Sequence, residues 1–128
     1  MPDKFTVEII SPDQTILKQE TIEVIIPSFE GQMGILNNHI PLITFLRPGI
    51  ITIKAEGEKR YYVEEGTVEF SNNNLLILTS TARDLVNLDK SKINELLQKA
   101  EANLNNQSTD KEKYIASYKL ETLKEISQ

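Results

Sequence analysis

Cysteine and tryptophan are absent from this chain of 128 residues, and histidine occurs once, at His39. Without a thiol there is no disulfide, no thiol nucleophile and no cysteine-containing metal site, although the compartment stays open. A lone imidazole with no other His or Cys ligand nearby does not make a zinc-type centre, so no metal is expected. Neither a G-x-x-x-x-G-K-[ST] phosphate loop nor a G-x-S-x-G elbow occurs. A triad would have to be built around Asn37-Asn38-His39-Ile40-Pro41. Ordering its own loop, or lying at a contact surface, is the simpler role for His39. The pairs Glu64–Glu65 and Glu56/Glu58 read as solvated charge at hairpin ends. No catalytic residue is expected. Positive charge is also scarce: the net charge is −5, which argues against nucleic-acid binding, since phosphate recognition needs a clustered basic footprint. No run approaches the roughly 18 apolar residues of a membrane span. The opening MPDKFTVEII lacks an apolar stretch behind a basic cap, so no secretory signal is expected. The expectation is a cytosolic protein that reaches a membrane only as part of a complex.

The distribution of the helix breakers is the clearest organisational signal. All five glycines and all five prolines lie within residues 1–66. Charge divides as well: residues 1–86 hold 7 Lys/Arg against 12 Asp/Glu, whereas residues 87–128 hold 7 of each. The first part alternates with the period of two that suits strands. Phe5, Val7 and Ile9 oppose Thr6 and Glu8; Ile22, Val24 and Ile26 oppose Thr21, Glu23 and Ile25; Ile51 and Ile53 oppose Thr52 and Lys54. AEGEK then turns into RYYVEE, and TVEFS is joined through NNN to LLILTS. Short strands with turn signals at this spacing predict an all-β sandwich or flattened barrel over residues 1–86.

Residues 87–128 change grammar. Ile93, Leu96, Leu97, Ala100 and Leu104 recur at helical spacing, with Asp89 or Ser91 as N-cap and Glu95/Lys99 as an i,i+4 pair. NNQSTD breaks the pattern at 105–110. Ile115, Ala116, Leu120, Leu123 and Ile126 then form a second face, with Lys119 intruding and Thr109 or Asp110 as cap. Two helices joined by so short a loop predict an antiparallel hairpin. Two stripes of four or five side chains bury little area, so docking is worth only a few kcal/mol, and a hairpin that leaves its resting place stands beside one that stays zipped.

One stretch fits neither period: FEGQMGILNNHIPLITFLRPG, residues 29–49, which holds three of the glycines, two of the prolines and the histidine. It reads as about twenty irregular residues, and long irregular segments in compact domains tend to be functional or disordered. Met33, Ile35, Leu36, Ile40, Leu42, Ile43, Phe45 and Leu46 make it too apolar for disorder. Gly31 and Gly34 suggest positive φ on either side of an exposed Gln32–Met33 tip, and Asn37–Asn38 can turn left-handed. A stiff loop with an apolar tip suits protein docking, while Ile35 and Leu42 are expected to fold back into the core, and for Met33 the tip and the core stand as equal alternatives.

The same stretch strongly resembles the E-G-x-x-G-I/V-x-P-x-H-x-P-L-x-x-x-L-x-P-G signature of the epsilon subunit of F-type ATP synthases. FTVEIISPDQTIL, YYVEEGTVEF and the hairpin after LDKSKI fall in register with the same family. The resemblance implies a non-catalytic rotor subunit, with the sandwich bound to the gamma subunit and resting on the c ring. Carried over by position, Glu30, Gly31, Gln32 and Met33, with His39 nearby, face the ring. The hairpin resembles a segment that in many members extends beside gamma and inhibits hydrolysis in the alpha/beta catalytic head. Lys111, Lys113, Lys119 and Lys124 are the candidates for that contact here, with no arginine among them. Some members bind ATP through [I/L]-D-x-x-R-A, where this chain has Leu88-Asp89-Lys90-Ser91-Lys92-Ile93. Asp89 is kept and Lys92 replaces the arginine, so Asp89 reads as a helix cap and no cofactor is expected. The resemblance places the protein on the cytoplasmic face of a bacterial inner membrane, or on the stromal face of a thylakoid. The rival reading is a ligand-binding β-module whose hairpin senses ATP; an enzyme built on His39 comes third.

Overall fold

The computed structural model describes residues 3–106 and 109–127. Among these, ten strands precede two helices: β1 (Phe5–Ile10), β2 (Thr15–Thr21), β3 (Glu23–Ser28), β4 (Gly31–Leu36), β5 (Leu42–Leu46), β6 (Gly49–Lys54), β7 (Glu58–Val63), β8 (Gly66–Ser71), β9 (Asn74–Leu78) and β10 (Arg83–Asp84). A 3₁₀ turn (Leu85–Asn87) leads into α1 (Lys90–Asn106) and α2 (Asp110–Ser127). Neighbouring strands run β10-β7-β6-β3-β5-β8-β9-β1-β2, with β4 pairing on the free side of β3. The sheet folds over at β3–β5, where a single pair, Ser28↔Leu46, joins the halves. Most pairings are antiparallel; β1 lies parallel to β9.

The alternating residues fill one core between the two halves. Val24, Ile26, Ile51 and Ile53 come from one side, and Phe5, Val7, Ile9, Val68 and Ile77 from the other, all buried. The expected all-β part and the helical hairpin are therefore both present. Ile22, expected to alternate with Val24 and Ile26, lies outside β3, and Thr21 is the residue that turns inward, its hydroxyl donating to the Lys54 carbonyl at 2.7 Å.

The stretch from 29 to 49 is not irregular. Six of its residues form β4 and five form β5, separated by a turn over residues 37–41. Asparagine, glycine and proline mask two strands there. Gly31 takes φ +127° at the β3–β4 turn and Asn38 takes φ +63°, as their residue types allow, but Gly34 keeps an ordinary negative φ inside β4. Gly49 answers a different demand: a Cβ there would lie 2.5 Å from the Pro27 Cβ. The chain passes so closely because the Arg47 N–H donates to the Pro27 carbonyl at 2.9 Å.

The helices begin where their caps sit. The Asp89 carboxylate accepts the Lys92 N–H at 2.8 Å, and the Thr109 hydroxyl accepts the Glu112 N–H at 3.1 Å. Lys99 pairs with Glu95 at 3.3 Å, one turn away. The expected break at 105–110 has its centre, Gln107 and Ser108, outside the described residues. Ile93, Leu96 and Ala100 of α1 and Ala116 and Leu123 of α2 are buried, and Leu96, Ala100 and Leu123 pack with Tyr62 of β7.

Candidate interaction surfaces

Three surfaces stand out: a turn at one end of β4, an apolar face on the outer side of β5 and β9, and the seat of α2. At the first, Phe29 and Glu30 form a two-residue turn closed by the Ser28 hydroxyl, which donates to the Gly31 carbonyl at 2.6 Å. The exposed tip is therefore Phe29–Glu30, not Gln32–Met33. Gln32 opens β4 pointing outward, whereas Met33 pairs with Ile26 and packs half-buried on the core. Ile35 is fully buried and Leu42 packs on the core, as expected. Glu30, Gly31, Gln32 and Met33 thus lie together. His39 does not join them: it sits past the far end of β4, roughly 20 Å away at the rise of a strand. There its Nδ1 is 2.7 Å from the Ile40 carbonyl and its ring meets the edge of Phe70 at 5.9 Å. The turn around it is tied down by the Asn73 side chain, which accepts the Asn38 N–H at 2.7 Å.

The second surface is apolar where solvent is expected. Ile43 is 76 % exposed and Phe45 59 %. Across the sheet Phe45 lies opposite Thr67, Thr67 opposite Leu78, and Leu78 beside Ile10 of the parallel strand. This row forms the floor of a groove of about 1410 Å³ that runs to Pro12 on one side and to Lys111 and Ile115 of α2 on the other. Leu36 and Ile40 are also exposed, beside the His39 turn. Contiguous exposed apolar area of this kind marks an interaction site. The signal was present in Leu42-Ile43-Thr44-Phe45-Leu46: a strand apolar on both faces has a core on one side and needs a partner on the other.

The third surface is covered by the hairpin. Tyr62 of β7 is fully buried, not in the sandwich core but in a second cluster with Leu96, Ala100 and Leu123. Its hydroxyl donates to Glu64 Oε2 at 3.1 Å, and Lys119 Nζ reaches the same oxygen at 2.8 Å. Burial, then the charge and hydrogen bond of Glu64, push the Tyr62 phenol far above its ordinary range, so it stays a donor. The Arg47 guanidinium lies 3.9 Å over the Tyr118 ring. The Tyr114 ring stacks on Phe29, with centroids 6.2 Å apart and planes 15° apart. Glu64, expected to be solvated charge, is thus the anchor of α2, and Lys119 is already paired within the chain. Lys111, Lys113 and Lys124 are exposed. Asp89 and Lys92 are occupied locally, the first as a cap and the second 3.8 Å from Glu95. Among the described residues no group of His, Asp and Glu is placed to hold a metal. No helix among the described residues is long and apolar enough to cross a membrane.

Residues 4–84 match the family model for the ATP synthase delta/epsilon chain β-sandwich domain. Over its whole length the chain is similar to the ATP synthase epsilon chain of Pelagibacter ubique, 48 % identical over 130 residues, covering 99 % of this chain and all of that one. The chloroplastic epsilon chain of Pyropia yezoensis is 36 % identical over 115 residues, covering 89 % and 86 %. In fold, it resembles a chain in the cryo-EM structure of the Euglena gracilis mitochondrial ATP synthase, with a TM-score of 0.80 at 24 % identity, covering 100 % of this chain and 84 % of that one. A sandwich of this topology, followed by a docked helical hairpin and matched from end to end, places the chain in the ATP synthase epsilon-chain family.

Proposed function

We infer that the protein is a non-catalytic central-stalk subunit of an F-type ATP synthase, helping to couple rotation of the c ring to ATP synthesis elsewhere in the complex. The observation that carries this is the end-to-end similarity to epsilon chains, together with two free surfaces on the sandwich. The Phe29–Glu30 turn, with Gly31, Gln32 and Met33 behind it, faces the polar loops of the ring. The outer apolar row of Ile43, Phe45 and Leu78 faces gamma, since interface centres are aromatic and poor in charge. His39 belongs with that second surface. Residues 1–86 do the docking and residues 87–128 the regulation. Lys111, Lys113 and Lys124 are free to meet an acidic segment of the alpha/beta head, and Lys119 joins them only after leaving Glu64. No cofactor enters this reading, because Asp89 and Lys92 already serve α1. The protein sits on the cytoplasmic face of a bacterial inner membrane, or on the stromal face of a thylakoid.

A photo-crosslinker on Glu30→Cys tests the first surface, because the chain has no other thiol. Reconstituted into membranes stripped of the protein and irradiated, it should join a ring subunit, identified by mass. Crosslinks to gamma alone, with membrane binding intact, would move the ring contact elsewhere. Phe45→Ala tests the second. A central aromatic anchor is worth about 2 kcal/mol, so affinity for purified gamma should fall roughly 30-fold. Thermal stability should hold, because Phe45 is mostly outside the core. Unchanged affinity would show that gamma binds another face.

A further inference from the structure

The face of α2 that meets the sandwich carries Tyr114, Tyr118, Lys119 and Thr122. Their partners are Phe29, Arg47, Glu64 and the Pro48 carbonyl, which lies 3.4 Å from the Thr122 hydroxyl, a contact secondary to that hydroxyl's 2.7 Å bond to the Tyr118 carbonyl. Three of these four partners lie on the two segments that form the base of the tip. Those segments are stitched together: the Phe29 N–H donates to the Phe45 carbonyl at 3.2 Å and the Arg47 N–H to the Pro27 carbonyl at 2.9 Å. Phe29 therefore has two roles, as half of the exposed turn and as the platform on which Tyr114 stacks. Glu64 lies outside the tip and holds α2 through Lys119, with the side chains 27 % and 23 % exposed.

Arg47 contributes to this seat, its guanidinium lying 3.9 Å over the Tyr118 ring. The docked state is held by Glu64–Lys119 and by the Tyr62–Leu123 cluster.

We propose that the docking of α2 and the shape of the Phe29–Met33 tip are one coupled equilibrium, latched by Glu64–Lys119 and transmitted through Phe29 and Arg47. With α2 seated, the Phe29 ring is fixed under Tyr114 and the turn keeps its present form. With α2 lifted, the ring loses its cover and the turn loosens. Coupling between two sites is reciprocal in free energy, so a ligand that fixes the tip favours the seated hairpin. The consequence for a rotor, that contact at the ring side biases the hairpin, rests on the ring-facing assignment above; the coupling itself does not.

The test uses the full chain. Spin labels on Glu58→Cys and Glu125→Cys, both exposed, report the seated fraction as a distance distribution. Hydrogen exchange of the amides of residues 29–33 reports the tip. Glu64→Gln and Lys119→Gln should each raise the lifted-to-seated ratio about tenfold, as expected for a charge-assisted bond. Tip exchange should quicken by a similar factor, while amides of β1 and β9 are unaffected. Glu64→Lys combined with Lys119→Glu should restore both readouts, which a merely misfolded variant would not. Phe29→Leu, changed at the tip, should lift α2. A lifted hairpin with unchanged tip exchange overturns the coupling, and an unchanged hairpin distance in Glu64→Gln overturns the latch. Binding of the unmodified protein to stripped membranes reads the rotor assignment separately, so its failure would leave the latch result standing.

Discussion

Phe70→Ala should remove about 3–5 kcal/mol of stability, the range for emptying a large aromatic site in a core that cannot fully collapse. Phe70 is 1 % exposed and meets the Phe5 ring edge-on at 5.7 Å and the His39 ring at 5.9 Å. It also ties three elements that are distant in sequence: β8, the opening strand, and the 37–41 turn that leads into β5. A domain of this size has roughly 5–15 kcal/mol in all, so this one truncation takes a large share. Urea denaturation followed by far-ultraviolet circular dichroism checks it through the shift in midpoint at constant slope. Phe70→Leu, closer in volume, should cost less than about 1.5 kcal/mol. A loss below 1 kcal/mol for the alanine variant would mean that the two halves of the sheet do not close on each other at this residue. Because His39 rests on the same ring, the alanine variant should also loosen the Asn37–Pro41 turn, visible as faster amide exchange there.

The elements that sequence reveals are those in which one face alone needs burial. Phe5, Val7 and Ile9 alternate against Thr6 and Glu8, and Ile93, Leu96 and Ala100 recur at helical spacing with Asp89 in front. In each case a single periodicity carries the assignment. It fails where a strand is apolar on both faces. Leu42–Leu46 is apolar at four positions of five, because Thr44 and Leu46 face the core while Ile43 and Phe45 face outward. Alternation disappears, and with it the strand. Tyr61-Tyr62-Val63 is buried throughout for the same reason, Tyr62 being covered by helices some thirty residues or more further on. β4 is hidden differently. Gly31 and Gly34 look like a pair of turn residues, yet only Gly31 uses its freedom; Gly34 simply occupies an outward position beside Glu23, where an added Cβ would come 3.3 Å from Glu23 Oε2. The candidate site was legible by resemblance and not by period. Residue types could place Glu30–Met33 and His39 in one loop, but six residues of extended β4 set them at opposite ends. Glu64 and Lys119 gave no local sign of being partners, since fifty-odd residues separate two ordinary surface charges.

Tyr62→Ala should cost as much as Phe70→Ala, about 3–5 kcal/mol, but the loss should appear in a different part of the molecule. Tyr62 projects from β7 away from the sandwich core and into the cluster of Leu96, Ala100 and Leu123. Its removal empties the centre of that cluster and deprives Glu64 of the hydroxyl that helps hold it for Lys119. The sandwich core keeps Tyr61 and Val63 on the same strand, so β-sheet pairing has no reason to fail. The hairpin, whose docking is worth only a few kcal/mol, has no such reserve. Amides of α1 and α2 should therefore lose protection by two orders of magnitude or more, while those of β1, β8 and β9 stay near their original rates. Phe70→Ala should instead lower protection throughout. Tyr62→Phe separates packing from hydrogen bonding: losing the bond to Glu64 alone should cost about 1 kcal/mol and leave the helices docked. If Tyr62→Ala instead lowers protection uniformly, the sandwich and the hairpin form one cooperative unit. The proposed division between docking residues 1–86 and regulatory residues 87–128 would then fail, because the hairpin could not lift without unfolding the surface that is meant to remain on the rotor.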